Sequence, residues 1–253
     1  MTRKLKEIGT AHQKIVRDRM AISDGDGLFG RYWEGLNLSL RDCVIKELDL
    51  ASASKMIVKY EWLGCMPAVN FFAFGIFFDG VCGGCVVFGQ EYTENLGVWD
   101  KYDFTNKIIL LSRGVCLHWA PKNANSKLIM AAIKLLPEKY KIVTATTDSL
   151  AGEVGTIYQA CNFKYVGSMR EASGLTIDRE GWLIDGKLYG SRAIRQKIGS
   201  QKHSEILAMF PTAEKIKQVS KSRYFYFRGS KREIKYYESK INHLIKPYPK
   251  RTS

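Results

Sequence analysis

Regular alternation of apolar and polar residues begins at Cys43, where Cys43-Val-Ile-Lys-Glu-Leu-Asp-Leu50 reads as a strand. The next stretch, 51–63, has helical composition and stops at Gly64. Two apolar runs, 71–78 and 81–88, flank Asp79-Gly80, a pair that supplies the positive φ of a two-residue primed turn and so predicts a β-hairpin. The run 107–119 is too long and too apolar for an edge strand, and Gly114 within it predicts a bulge or a close backbone approach. A loop at 120–125 leads to a helix predicted from Ser126 to about Leu136, apolar on most sides and stopped by Pro137. Residues 141–146 form a β-branched strand ending in Thr147-Asp148-Ser149, and 153–161 a short helix closed by Asn162, a residue that tolerates the left-handed conformation. A strand resumes at 163–167.

Beyond that point the pattern predicts strands at 175–178 and 182–184, with turns at 179–181 and Asp185-Gly186, and a further strand at Leu188-Tyr189. A mainly helical basic segment, 191–218, precedes a final hairpin made of 223–228, the turn Gly229-Ser230 and 233–237. Upstream of the regular part, 4–20 reads as a short helix, 23–30 is rich in Gly and Asp, and Tyr32-Trp33 is an aromatic pair. The division that follows is an extension over 1–42 outside the core, a main domain over 43–237 with a basic insertion at about 186–220, and a basic, Pro-broken tail over 238–253.

Composition adds limits to this picture. With 253 residues, 45% hydrophobic and 25% charged, the chain is globular rather than disordered. The longest apolar stretch, 68–78, contains Asn70 and falls far short of the roughly 20 residues that span a bilayer, so no membrane partner is expected. Six scattered Cys without an export signal read as reduced thiols, which fits the cytoplasm. The excess charge is uneven: 1–170 holds 21 basic and 17 acidic residues, whereas 171–253 holds 18 and 8. Because the basic residues are interleaved with Tyr, Phe and Gly, a nucleic acid is a better polyanionic partner than a membrane surface, although charge that simply keeps a protein soluble explains the same numbers.

The order of strand, helix, hairpin, long strand, loop, buried helix, strand, short helix and strand resembles the GNAT acyltransferase superfamily, an α/β fold with a mixed central sheet. Its local marker is Tyr158-Gln-Ala-Cys-Asn-Phe163, similar to the Tyr-x-x-x-Gly-Phe element with Asn162 in place of glycine. Several further segments resemble the Mom DNA-modification proteins of Mu-like bacteriophages: Lys59-Tyr-Glu-Trp-Leu-Gly64, Leu111-Ser-Arg-Gly-Val-Cys-Leu-His-Trp-Ala-Pro-Lys-Asn-Ala-Asn-Ser126, Gly186-Lys-Leu-Tyr-Gly-Ser-Arg192 and Arg223-Tyr-Phe-Tyr-Phe. That resemblance covers roughly 43–237. It implies acetyl-CoA or another acyl-CoA as cofactor and double-stranded DNA as partner. The implied reaction adds a carbamoylmethyl group to the exocyclic amine of adenine, which shields phage DNA from restriction in the bacterial host cytoplasm. A conventional acetyl transfer does not yield that group. One departure is the loop Ala120 to Asn125, which has no glycine where the superfamily's pyrophosphate loop is rich in Gln, Arg and Gly.

Residue by residue, the chemistry has ordinary alternatives beside it. Asn125, Ser126 and Lys127 at a helix start suit a cofactor pyrophosphate, or Ser126 simply caps its helix. Arg113 in a central strand is costly unless it meets an anion, which makes it a cofactor anchor or one half of a structural ion pair. The adenine amine has its lone pair delocalised into the ring, so attack needs a base; Asp148, at a strand end, is the candidate, with a turn Asp as the alternative. Tyr158 matches the superfamily tyrosine that protonates the departing thiolate, or is a core tyrosine. Tyr60 is a candidate for substrate contact, Glu61 and Trp62 serve equally, and Tyr60 or Trp62 could stack on an adenine extruded from the duplex. Arg192, Arg195, Lys197 and Lys202 would hold phosphates, with Arg223, Arg228, Lys231 and Arg232 as a second cluster, or each is a solvated charge. Cys82-Gly-Gly-Cys85 lacks the second ligand pair of a zinc site, and four scattered histidines, His118 among them, leave any metal undefined.

Overall fold

The computed structural model describes residues 12–25, 33–91, 97–148, 152–168, 179–185, 187–190, 194–195, 198–218 and 221–250. In chain order these form α1 (His12–Gly25), β1 (Val44–Glu47), α2 (Leu50–Tyr60), β2 (Asn70–Phe78), β3 (Val81–Gly89), β4 (Ile108–Cys116), α3 (Ala124–Leu135), β5 (Ile142–Thr147), α4 (Thr156–Ala160), β6 (Lys164–Ser168), β7 (Arg179–Ile184), β8 (Lys187–Gly190), α5 (His203–Met209), β9 (Glu214–Gln218), β10 (Ser222–Phe227) and α6 (Lys231–Ile241). Among the described residues no helix is long and apolar enough to cross a membrane.

Seven strands make one mixed sheet in the order β1-β2-β3-β4-β5-β10-β6. Only β4 and β5 run parallel, pairing Ile108–Leu111 with Ile142–Ala145; the other pairs are antiparallel. The hairpin at Asp79-Gly80 has the predicted turn, with φ of 45° and 83° at those residues. Asp49 accepts the Ser52 N–H and fixes the start of α2. On one face, α3 buries Leu128, Ile129, Ala132 and Ile133 against Phe74, Ile76, Val86, Phe88, Ile109 and Leu111. On the other, α2 buries Ala53 and Ile57 against Ala73, Cys85, Val87 and Val115. A third apolar cluster holds Tyr237 and Ile241 of α6 with Trp99, Phe104, Ile108, Ile142 and Phe225.

Several predicted elements are revised. The expected hairpin partner at 233–237 is instead the helix α6, because Ser230 and Glu233 form a reciprocal capping box that satisfies the first-turn N–H groups. Within 191–218 the helical reading holds at 194–195, at 198 and in α5, whereas 214–218 is β9, paired with β7 in a separate three-stranded sheet ordered β8-β7-β9. The turn expected at 179–181 is the first half of β7, and the strand expected at 175–178 lies outside the described residues. The small sheet has its own apolar cluster of Trp182, Ile184, Ile194, Ile206 and Ala213. The first helix covers 12–25, past the end expected at Met20, while 4–11 lie outside the described residues, and Met20, Trp33, Leu36, Leu38 and Leu40 pack on the α3 side of the main core.

The bulge expected near Gly114 falls at Ser112. Val87 pairs with Arg113 and Phe88 with Leu111, so Ser112 is the extra residue, while Gly114 lies close under Val86. Ahead of the bulge, Ile109 and Leu111 face α3; after it, Arg113 and Val115 lie across from Val87 and Cys85 on the α2 face. One inserted residue thereby turns a guanidinium away from the α3 core.

Candidate active site

β4 and β5 stay paired only as far as Leu111 and Ala145, while β4 continues to Cys116 and β5 to Thr147. Two parallel strands that part at their carboxyl ends leave a crevice, the place where α/β sheets receive ligands. Four segments supply polar groups around it: the end of α2, the far half of β4, the end of β5 and α4.

Trp62, just past α2, donates its indole N–H to Glu153 Oε1 at 3.1 Å, and the Asp148 backbone N–H donates to Glu153 Oε2 at 3.3 Å. Glu153 thus ties the α2 wall to the end of β5. Glu61 is 9% exposed and accepts the Leu63 N–H at 2.9 Å. Burial pushes the Glu61 carboxyl up to about 7, opposed by the nearby Arg113 guanidinium and reinforced by Glu153. Burial also raises Glu153, opposed by the Asp148 N–H bond and reinforced by the Asp148 charge. Two desolvated carboxylates beside each other favour holding a proton between them over ionising together.

Tyr158, on α4, has its ring packed between Phe163 and Tyr224, with centroids 5.4 and 5.5 Å away. Burial, and then the Glu153 and Glu61 charges, raise its phenol, so the hydroxyl keeps its proton at neutral pH. α4 begins at Gly155 with φ of 68°, and a Cβ there would stand 2.5 Å from the Tyr224 ring. Asn162 closes the turn with φ of 59°, the left-handed geometry expected where the marker element has glycine.

The predicted residues sort as follows. Tyr158 and Asp148 stand at the crevice, and Asp148 Oδ2 lies 3.8 Å from Lys221 Nζ. Tyr60 is half-buried, with Lys59 over its ring at 4.9 Å. The Gln13 amide brackets the next residue, donating to the Tyr60 carbonyl and accepting from the Trp62 N–H, both at 2.9 Å. Arg113 does not meet α3: its Nε donates to the Cys65 carbonyl at 2.8 Å and one terminal nitrogen to the Ser112 carbonyl at 2.7 Å, because the bulge aims it at the loop after α2. α3 starts two residues earlier than expected, and Asn123 rather than Ser126 occupies its cap. No side chain caps that end; the Ser126 hydroxyl donates back to the Asn123 carbonyl, and Lys127 is exposed. Asn125 Oδ1 is buried without a hydrogen-bond partner.

The second basic cluster does not form as expected. Arg223 is fully buried, its guanidinium 2.8 Å from both Glu91 oxygens and stacked 5.1 Å over Trp99, so it cannot reach a phosphate. Arg228 donates to the Leu136 and Pro137 carbonyls at the end of α3, a C-cap role that occupies the group. Of the first cluster, Arg195 and Lys202 are exposed, Lys202 beside Glu205, while Arg192 and Lys197 lie outside the described residues. Among the described residues no group of three or more His, Cys, Asp or Glu could hold a metal ion. Cys82 and Cys85 each donate to a backbone carbonyl, and burial raises both thiols. His118 packs edge-on against Trp33.

Sequence reasoning singled out Glu61 only as a neighbour of Tyr60 and passed over Glu153. The local signal for Glu153 was absent, since its partner Trp62 lies 91 residues away.

A mixed sheet with one parallel pair that parts, a helix starting beside that opening and a tyrosine on the short helix beyond it make this a GNAT-like acyltransferase fold. Within that class the chain belongs to the Mom protein family, whose model matches residues 42–250. No curated protein sequence matches it. Among solved structures it is similar to an IAA acetyltransferase from Bacillus cereus ATCC 14579, at 10% identity and a TM-score of 0.39, over 74% of this chain and 99% of that one. It is also similar to a GNAT family acetyltransferase from Elizabethkingia anophelis with acetyl-CoA bound, at 9% identity and a TM-score of 0.36, over 74% and 98%. A polyamine N-acetyltransferase from Drosophila melanogaster aligns at 9% identity with a TM-score of 0.41, over 74% and 100%.

Proposed function

We propose that this chain modifies the exocyclic amine of adenine in double-stranded DNA, adding a carbamoylmethyl group that protects phage DNA from host restriction. The observation that carries the reading is the meeting of Tyr158, Glu61, Glu153 and Asp148 at the crevice of a Mom-family acyltransferase fold. An acyl-CoA fits the uncapped start of α3 and the buried, unpartnered Asn125 Oδ1 beside it. When bound, it would supply an acyl carbon activated by a thiol leaving group; the carbamoyl nitrogen of the product is not part of an acyl thioester and has to come from a second, amine-bearing donor.

The chain's own residues supply the proton handling. Glu61 in its ionised form, backed by Glu153 and Asp148, accepts the amine proton as the new bond to nitrogen forms. Tyr158, protonated at neutral pH, gives its proton to the departing sulfur. Trp62 and Tyr60 line the wall against which a base swung out of the duplex would stack. Exposed Arg195 and Lys202, with Arg192 and Lys197 of the same segment, hold backbone phosphates.

Because burial lifts Glu61 to about 7, the transfer rate should rise as pH climbs through about 7, and Glu61→Gln should flatten that rise and lower the plateau. Stability should move oppositely. The raised carboxyl binds more protons folded than unfolded between the ordinary carboxylate value and about 7, so its contribution is present in acid and lost across that window as pH rises. Rate and urea-unfolding profiles of wild type and Glu61→Gln check both signs.

The deciding experiment is nucleoside mass spectrometry of plasmid DNA from bacteria expressing the chain. A new deoxyadenosine species, absent with Tyr158→Phe, is the expected result. Unmodified adenine from well-expressed wild type, together with acetyl groups on host proteins, would reassign the chain to protein acetylation; DNA binding with neither would make it a noncatalytic binder.

A further inference from the structure

α4 has only five residues and no side-chain cap at its start; Ile157 and Tyr158 pack partly buried on the main core, but a helix this short needs further ties to keep its place. What holds it comes from elsewhere in the chain. Gln159, next to Tyr158, aims its amide nitrogen at the Val154 carbonyl at 2.8 Å, the Tyr224 hydroxyl at 3.4 Å and the Pro249 carbonyl at 3.2 Å. Tyr224 in turn donates to the Val154 carbonyl at 2.7 Å. The chain end returns along β6: the Lys246 N–H donates to the Tyr165 carbonyl and the Tyr248 hydroxyl to the Phe163 carbonyl, each at 2.8 Å. Phe163 is also the residue whose N–H closes on the Tyr158 carbonyl at 3.0 Å and whose ring packs on the Tyr158 ring.

Three links from residues 246–250 thus fall on Gln159 of α4, on Phe163, which closes it, and on Tyr165 of the strand that follows. The sequence of this segment, Lys246-Pro-Tyr-Pro-Lys250, suits the task, since two alternating prolines restrict φ there and bias the residues before them toward extended backbone. Such a segment reaches its carbonyl and hydroxyl partners with little conformational entropy left to lose.

We propose that Gln159 and residues 246–250 are positioning elements for the Tyr158 hydroxyl, making the carboxyl-terminal segment a working part of the catalytic site rather than a trailing basic tail. The inference rests on the reading of Tyr158 as proton donor. The segment does no chemistry; it fixes the helix from which the donor projects, and displacement of a reacting group by about 1 Å costs on the order of 10²-fold in rate.

The test compares purified full-length protein, a truncation after Ile245, Gln159→Leu and the single-hydroxyl variant Tyr248→Phe, each with and without Tyr158→Phe. Thiol release from acetyl-CoA in the presence of duplex DNA gives kcat and KM, and amide hydrogen exchange over 156–163 gives the state of α4. The expected result is a kcat loss of about 10²-fold for the truncation, smaller for Tyr248→Phe, with KM for acetyl-CoA unchanged and no further loss in the Tyr158→Phe background. Exchange across α4 should accelerate in the same order. Equal kcat in truncated and full-length protein, or an undiminished loss in the Tyr158→Phe background, overturns the inference. If wild type releases no thiol, or Tyr158→Phe is fully active, the functional reading fails on its own; the exchange data then decide whether the segment holds α4, and unchanged exchange overturns that as well.

Discussion

Arg223→Met should lower the unfolding free energy by about 3–5 kcal/mol, measured by urea denaturation at neutral pH. The guanidinium and the Glu91 carboxylate are both fully buried and face each other through two contacts at 2.8 Å, with the Thr144 hydroxyl donating to the same carboxylate. Removing the cation, which packs over the Trp99 and Phe225 rings, leaves the fully buried Glu91 anion without its counter-charge. Glu91→Gln should cost a similar amount from the other side, whereas the double change Arg223→Met with Glu91→Leu should recover much of the loss, since a well-packed apolar pair replaces a desolvated ionic one. A phosphate-binding arginine would behave differently: stability would hold, and the salt dependence of DNA affinity would become shallower. That pattern would place Arg223 at the surface and contradict the buried pair.

Tyr158→Phe should reduce kcat by about 10²–10⁴-fold while leaving acyl-CoA affinity and thermal stability close to wild type. The phenylalanine keeps the ring that packs on Phe163 and Tyr224, so only the hydroxyl is lost. Burial and two neighbouring carboxylates keep the hydroxyl protonated, the state a donor must be in before the sulfur departs. Single-turnover measurement separates this from product release. A variant with wild-type single-turnover rate would remove Tyr158 from the chemistry and leave it as a core residue.

How far the sequence could be read follows from which contacts are local. Asp49, read as the end of a strand, caps α2, which runs over Leu50–Tyr60 rather than 51–63, whereas Asp79-Gly80 and Asn162 carry their signals within a few residues and match expectation. α6 also carried one, the Ser230–Glu233 box, but Tyr236 and Tyr237 favour strands and drew the reading toward a hairpin. β10 sits between β5 and β6 although it follows both in the chain, an arrangement that no local pattern announces. The same limit governs the site. Tyr158 sits in a recognisable local motif, whereas Glu153 gains its role from Trp62, and Arg223 loses the one expected of it to Glu91, 132 residues away. Charge counted along the sequence does not distinguish a guanidinium in water from one sealed in a core.

The Ser112 bulge shows how a single residue can carry two incompatible demands on one strand. The first half of β4 must feed Ile109 and Leu111 to the hydrophobic layer under α3, and the second half must offer Arg113 to the carboxylate corner on the opposite face. All three residues have odd numbers, so an unbroken pleat would put them on the same side. The extra residue shifts the parity once, midway, and lets a strand fill the apolar core at its start and turn a cation toward Glu61 at its end. Length within β4 is therefore constrained more tightly than composition: a one-residue deletion there would exchange the two faces of everything downstream, while many substitutions at Ser112 itself would leave the frame intact.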